Sequence, residues 1–110
     1  MADYYRSEIP GGVLYVPIEL SATGTLIVGV ASRKIVVLST WLVANVQANV
    51  KFQTSTGPTD ITGPAYCATN GGIVLNHNIG GWFQTLVGDS LIINISPSVA
   101  IGGSLSYILV

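Results

Sequence analysis

The chain has 110 residues, enough for one small domain, and only 8% of them are charged, against about 25% in an average soluble domain. A net charge of −1 argues against binding to a nucleic-acid backbone, because that requires clustered cations. No apolar run reaches the roughly 18 residues of a membrane span, and residues 1–6 lack the charged-then-apolar order of a signal peptide. Since so few charged groups are available to cover the exterior, we expect a stable oligomer that buries part of its apolar surface.

The first segment in chain order, residues 1–12, is predicted to be an N-terminal arm. Pro10, Gly11 and Gly12 break regular structure, and tyrosines in the segment combine apolar area with a polar tip, which suits docking. We therefore expect the arm to lie across a neighbouring molecule. The contact residues predicted for it are Tyr4, Tyr5, Arg6 and Ile9. Residues 13–110 are predicted to follow as a single β-sandwich domain.

Short apolar runs, separated by glycine, proline and asparagine turns, follow one another along this domain. The predicted strands are residues 13–20, 25–31, 35–44, 46–52, 60–62, 65–69, 72–75, 82–86, 90–96 and 99–110. Pro17 lacks a donor N–H, so the first strand is expected at a sheet edge or with a bulge, and Gly102-Gly103 predicts a bulge or bend in the last strand. The pattern predicts an all-β, antiparallel jelly-roll or Greek-key β-sandwich without a helix longer than about two turns.

The strand predicted at residues 35–44 is the strongest, because both of its alternating sets of residues are apolar. Strict alternation assigns them to two faces, one with Ile35, Val37, Trp41 and Val43 and the other with Val36, Leu38 and Leu42. Only one face of each sheet in a sandwich meets the core, so the second face is expected to meet another subunit. The predicted interface of a homotrimer is therefore Val36, Leu38 and Leu42. The alternative is that a loop of the same chain covers this face.

Reactive side chains are few and scattered along the sequence. His77 is the only histidine, and to act as a base it would need a positioned partner; the alternative is one metal ligand from each subunit around a three-fold axis. Asp60 and Asp89 stand beside turns, where Asp bonds to nearby backbone N–H groups. Cys67 is the only cysteine in the sequence, so no internal disulfide can form. A single cysteine is typical of a protein that folds in a reducing cytoplasm. We expect Cys67 to be a small buried hydrophobe. We therefore predict no enzyme activity, no cofactor and no metal.

A series of short motifs resembles a family of small structural proteins encoded by tailed bacteriophages. The motifs, in chain order, are Ala31-Ser32-Arg33-Lys34-Ile35-Val36-Val37-Leu38, Val50-Lys51-Phe52, Ile61-Thr62-Gly63-Pro64, Asn70-Gly71-Gly72, Gly81-Trp82-Phe83-Gln84-Thr85, Gly88-Asp89-Ser90-Leu91 and Gly103-Ser104-Leu105-Ser106-Tyr107. They span roughly residues 25–110. The resemblance implies a head decoration (cement) protein, made in the host cytoplasm and located on the virion as a trimer at the capsid surface. Its partners would be copies of itself and the major capsid protein, contacted through the arm.

Two other functional classes are consistent with the same sequence. A phage tail or fibre module would bind a host receptor or glycan through exposed aromatic residues and polar loops such as residues 76–81. A small jelly-roll enzyme would need more reactive groups than this chain offers. Trp41 and Trp82 lie in strand-like runs, so we expect both in the core. Exposed Trp or Tyr beside Asp and Asn would instead favour the glycan-binding class.

Overall fold

A computed structural model of the protein describes residues 12–110, which form only strands, turns and loops. The strands are β1 (Leu14–Leu20), β2 (Gly24–Ile27), β3 (Ile35–Ala44), β4 (Ala48–Thr54), β5 (Thr59–Asp60), β6 (Ala65–Cys67), β7 (Gly72–Leu75), β8 (Phe83–Gln84), β9 (Leu91–Ser96) and β10 (Ile101–Leu109). The predicted all-β fold class is confirmed. The predicted arm contacts Tyr4, Tyr5, Arg6 and Ile9 lie outside the described residues.

Two five-stranded antiparallel sheets make up the fold. The first, sheet A, has the order β1-β10-β3-β7, and β8 also pairs with β3. The second, sheet B, has the order β2-β9-β4-β5, and β6 also pairs with β4. The chain crosses from one sheet to the other at every connection between β1 and β4, once between β6 and β7, and at both connections between β8 and β10. These interleaved strand orders are the connectivity of a jelly roll.

The core lies between the sheets and is formed by the alternate residues that each strand points inward. Its buried members include Ile18, Ile35, Leu42 and Leu105 from sheet A and Val50, Phe52, Leu91 and Ile93 from sheet B. Burying a side chain of this kind contributes roughly 1.5–3 kcal/mol. The rings of Phe52 and Phe83 also contact each other across the sheets, with centroids 4.8 Å apart. Apolar residues of both sheets therefore hold the two layers together.

Strand β3 departs from strict alternation at Leu38. In its pairing with β10 the register shifts between Ser106 and Tyr107, and Leu38 is left opposite no residue of its own. A β-bulge of this kind inserts one residue into one strand, so every side chain beyond it changes face relative to a strict period of two. Before Leu38 the odd-numbered residues of β3 point into the core, and after it the even-numbered residues do.

Because of the bulge, some side chains of β3 lie on the opposite face from the one predicted. Leu42 does not share a face with Val36 and Leu38, because it lies in the core and is only 1% exposed. Trp41 and Val43 were expected to face the core, but they lie on the outer face of sheet A and are 51% and 40% exposed. The predicted faces were wrong because a period-two pattern cannot reveal one extra residue.

A bulge or bend was predicted at Gly102-Gly103, but the register shows no bulge there, since its shift lies between Ser106 and Tyr107. Gly103 instead permits a close approach between strands. A Cβ there would overlap the carbonyl oxygen of Trp41 and lie 2.8 Å from the Cα of Leu42. From the other side of β3, a Cβ at Gly72 would overlap the carbonyl oxygen of Leu42. The middle of β3 is thus flanked by glycines on both neighbouring strands.

Candidate interaction surface

The outer face of sheet A carries a patch of exposed apolar side chains. The patch, called the apolar face, consists of Tyr15, Trp41, Val43 and Val74, which are 65%, 51%, 40% and 72% exposed. The sheet register places Trp41 beside Val74 and Val43 in the next row. Glu19 is the charged residue nearest in these rows, where it pairs with Gly102. Contiguous exposed apolar side chains are typical of interaction sites, so the apolar face is the candidate interaction surface.

Small residues separate the two aromatic side chains of the apolar face. Ser39 and Ser106 bond to each other through their hydroxyl groups. With Ser104 they line a depression of about 220 Å³. The rings of Tyr15 and Trp41 also line this depression. The apolar face therefore combines two exposed aromatic rings with a depression between them, a shape that suits packing against another protein surface.

Two residues of the predicted subunit interface, Val36 and Leu38, lie on the same outer face but are covered by their own chain. Val36 is 7% and Leu38 0% exposed, and they pack with Ile108 and with Val13, which precedes β1. The third residue of that prediction, Leu42, belongs to the core instead. A contact of Val36 and Leu38 with another subunit stays a prediction.

The outer face of sheet B is polar by contrast. Lys51 Nζ lies 3.1 Å from Asp60 Oδ2 in an ion pair, and Gln53 Nε2 donates a 2.8 Å hydrogen bond to Asp60 Oδ1. The bond from Gln53, followed by that from Lys51, lowers the pKa of Asp60. Asn49 and Asn94 lie beside Lys51 on this face. The outer face of sheet A thus carries a patch of exposed apolar side chains, whereas the outer face of sheet B carries mainly hydrogen-bonding groups, together with the exposed ring of Tyr66.

A second set of exposed apolar side chains lies at the end of the sandwich where β3 begins. This set, called the apolar loop end, consists of Val28, Val30, Leu86 and Val87, which are 76%, 43%, 54% and 57% exposed. The two loops that carry these residues meet where Gly88 N donates a 2.7 Å hydrogen bond to Arg33 O. The apolar loop end therefore sits on loops that are bonded to each other.

Asp89 ties one of these loops to the hairpin formed by β4 and β5. Its Oδ2 accepts hydrogen bonds from Thr54 Oγ1 at 2.6 Å and from Thr56 N at 2.9 Å. Its Oδ1 accepts a third bond, from Thr56 Oγ1 at 2.8 Å. These bonds, that from Thr54 first, lower the pKa of Asp89. The carboxylate is occupied by contacts within the chain and supports the apolar loop end.

The residues weighed for chemistry in the sequence lie apart from one another. His77 is exposed at the rim of the depression on the apolar face. Cys67 is 4% exposed in the core, and burial raises the pKa of its thiol. Among residues 12–110, no group of three or more His, Cys, Asp and Glu side chains is placed to hold a metal ion. The same residues include no helix with the length and apolar character that crossing a bilayer requires.

Comparison with known proteins identifies the fold. No protein-family profile matches the sequence, and no curated protein matches it. The Drosophila NLP core, described in terms of pentamer formation and histone binding, aligns with a TM-score of 0.50 and 9% identity over 88% of this chain and 99% of that chain. A protein of Bacillus endospore appendages, described as disulfide-linked pili, aligns with a TM-score of 0.51 and 12% identity over 88% of this chain and 82% of that chain. A chain of the cyanophage Pam1 capsid aligns with a TM-score of 0.47 and 12% identity over 87% of this chain and 82% of that chain.

Sequence reasoning missed the exposure of the aromatic residues. Both tryptophans were expected in the core, but Trp41 is 51% and Trp82 47% exposed. Trp82 Nε1 donates a 2.8 Å hydrogen bond to Asn76 O, which holds this ring over its own loop. Trp41 pairs across the strands with Ser104, and so small a neighbour leaves the ring uncovered. The Ser- and Gly-rich sequence of β10 was the signal that could have revealed this outer position.

Proposed function

We propose that the protein is a structural component of a virion, a capsid decoration or cement protein that binds as a homotrimer across junctions between capsomers. The motif resemblance over residues 25–110 supports the virion role, and the observation that carries the proposed self-association is the exposed apolar patch on sheet A, opposite the more polar outer face of sheet B. A chain with so few charges lowers its free energy by covering the apolar face with another copy. The same fold occurs in the NLP core and in the pili of Bacillus endospores, so self-assembly is compatible with it.

The apolar face is the proposed contact between subunits. At their stated exposures, Tyr15 and Trp41 leave roughly 200 Å² of aromatic surface in water, since such a side chain buries about 150–250 Å² when covered. At about 25 cal/mol per Å², covering it would contribute roughly 5 kcal/mol per subunit, before the entropic cost of association. Val36 and Leu38 border this contact, whereas Leu42 is too deep in the core to take part.

The arm and the apolar loop end are the proposed contacts with the capsid. Val13, the first residue after the predicted arm, packs on Val36, Leu38 and Ile108. The arm therefore joins the sandwich at the end where β3 begins, which is also the position of the apolar loop end. A protein that binds only the assembled capsid stabilises it by mass action, and three linked contacts raise avidity without strengthening any one of them.

The subunit contact can be tested with a matched pair of valine variants. Val74→Ser removes apolar surface from the apolar face, and Val46→Ser makes the same change at a turn residue that is 49% exposed. We expect sedimentation velocity to show a trimer for the wild type and for Val46→Ser at micromolar concentration. Val74→Ser should shift toward the monomer. A wild-type monomer, or equal behaviour of the two variants, would contradict the proposed contact.

The virion role requires a separate test on particles. Phage heads that carry the protein should survive heat or osmotic shock better than heads that lack it. Deleting residues 2–9 should leave the oligomer intact but weaken its attachment, because the deletion removes Tyr4, Tyr5, Arg6 and Ile9. Electron micrographs should locate the protein on the capsid surface. Equal survival of the two kinds of head, or density found only on the tail, would rule out a cement role.

A second candidate function is a tail or fibre module that binds a host receptor or glycan. The observation that favours it is the exposure of an aromatic side chain beside amides, since Tyr66 is 79% exposed and pairs with Asn49 across the strands. The same micrographs separate the two candidates, because a fibre module would be located on the tail.

A further inference from the structure

A polar groove on the outer face of sheet B has no part in the proposed assembly. The groove has a volume of about 330 Å³ and is lined by Asn49, Lys51, Pro64, Tyr66, Asn94 and Ser96. Tyr66 on β6 and Ser96 on β9 flank Asn49 on β4 in one row of the sheet. Asn94 lies opposite Lys51 in the next row. The groove is therefore built on paired strands, which hold its side chains at defined spacings.

Two amide side chains in the groove have unused hydrogen-bonding groups. The side chains of Asn49 and Asn94 make no hydrogen bond within residues 12–110. Each amide offers two donor hydrogens and an acceptor oxygen. Beside them the ring of Tyr66 is 79% exposed. An isolated exposed ring needs no explanation, but this ring lies beside two amides in a concave site, where polar groups can fix the orientation of a bound small molecule.

We infer that this groove binds a neutral saccharide. A sugar ring presents a face of C–H groups that packs on an aromatic ring, and hydroxyl groups that both donate to and accept from amides. Tyr66 supplies the aromatic surface, and Asn49 and Asn94 supply the amides. The groove volume lies near the lower end of the range of about 300–1,000 Å³ for small-molecule sites, which accommodates a short saccharide segment.

The charges at the groove select a neutral ligand over an acidic one. Among the residues that the structure describes, Lys51 is the one cationic side chain that lines it. The ion pair with Asp60, at 3.1 Å, balances that charge, and the lowered pKa of Asp60 keeps its carboxyl group ionised at neutral pH. The groove therefore offers no unbalanced positive charge to a phosphate, sulfate or carboxylate group on a sugar.

Saccharide binding at this groove deepens the second candidate function, the glycan-binding module, and does not depend on the cement role. The groove and the apolar face lie on opposite sides of the sandwich, so a subunit contact through sheet A leaves the groove open. An oligomer would present several grooves at once, which raises avidity for a surface of repeating saccharides.

An array of immobilised neutral and acidic oligosaccharides, probed with the full chain, tests the inference. We expect the wild type to bind at least one neutral oligosaccharide. Tyr66→Ala and Asn94→Ala should each weaken that binding by about tenfold, the factor that corresponds to one lost contact of this kind. Thr25→Ala is the control. Thr25 is exposed on sheet B, where it pairs with Ile92, but it does not line the groove. Its affinity should stay at the wild-type level.

A titration followed by NMR locates the bound oligosaccharide. The side-chain amide signals of Asn49 and Asn94 should shift on addition of the best neutral oligosaccharide from the array. Tyr66→Phe keeps the ring and should retain most of the affinity that Tyr66→Ala loses, so the pair separates stacking from any effect on folding. Per-site affinity should be unchanged in Val74→Ser, which keeps this test independent of self-association.

Three results would overturn the inference. The first is the absence of binding to every neutral oligosaccharide on the array. The second is binding confined to acidic saccharides, which would contradict the charge argument. The third is binding that survives Tyr66→Ala but is lost in Trp41→Ser, which would place the site on the apolar face.

Discussion

Replacing Gly103 with alanine should destabilise the fold strongly, whereas the same change at the adjacent Gly102 should not. A Cβ at Gly103 would overlap the carbonyl oxygen of Trp41 and lie 2.8 Å from the Cα of Leu42, but a Cβ at Gly102 meets no atom within 4 Å. Both obstructing atoms belong to the backbone, so no side-chain rotation relieves the overlap. Strands β10 and β3 would have to separate by about 1 Å to restore normal carbon contacts of about 3.5–4.0 Å.

Two effects contribute to the free-energy cost of separating the strands. Overpacking a well-packed site costs typically about 1–3 kcal/mol, and each weakened ladder hydrogen bond adds about 0.5–1.5 kcal/mol. We therefore expect Gly103→Ala to lower the free energy of unfolding by about 2–4 kcal/mol, which corresponds to a fall in Tm of about 10–25 °C for a small domain. Gly102→Ala should change stability by about 0.5 kcal/mol or less.

Urea denaturation and thermal unfolding, followed by circular dichroism at one protein concentration, would measure both variants. The concentration must be held constant because self-association is linked to stability. Gly63→Ala is a second control, since a Cβ at Gly63 also meets nothing within 4 Å. Equal stabilities of Gly103→Ala and the two controls would refute the close approach of β10 to β3.

Three further predictions follow from the burial and hydrogen bonding of single residues. Leu42→Ala should lower the free energy of unfolding by about 2–5 kcal/mol, whereas Val46→Ala, at an exposed position away from the apolar face, should lower it by about 0.5 kcal/mol or less in urea titrations; similar losses would contradict the core position of Leu42. Three hydrogen bonds, the one from Thr54 first, lower the pKa of Asp89 in the folded state. The carboxylate therefore stabilises the fold at any pH above its unfolded-state pKa of about 3.9. This stabilisation is lost as the pH falls through the lower pKa of the folded state. Asp89→Asn should therefore be less stable at pH 7 and lose less stability than the wild type between about pH 5 and pH 2, which thermal melts across that range can check. Cys67 is buried with a raised thiol pKa, so an aromatic disulfide reagent should react with it slowly in buffer and rapidly in denaturant; fast reaction of the folded protein would show that the thiol is accessible.

The sequence by itself determined the fold class and most of the strand positions. The predicted strands at residues 35–44 and 72–75 coincide with β3 and β7, because apolar runs bounded by turn residues are a local property of the chain. Leu91 and Ile93 of β9 lie in the core, as plain period-two alternation along the strand requires, because the register of β9 with β4 has no shift.

Only the tertiary structure decided which residues face outward from the centre of sheet A. The extra residue at Leu38 is defined by the register with β10, a strand more than 60 positions away in the sequence, so local periodicity could not locate it. That single shift places Leu42 in the core and Trp41 on the surface. The grouping of Tyr66, Asn49 and Asn94 in one groove likewise depends on strand pairing. A side chain's face follows from its own strand, but its neighbours follow from the strands beside it, and those are chosen by the packing of the whole sandwich.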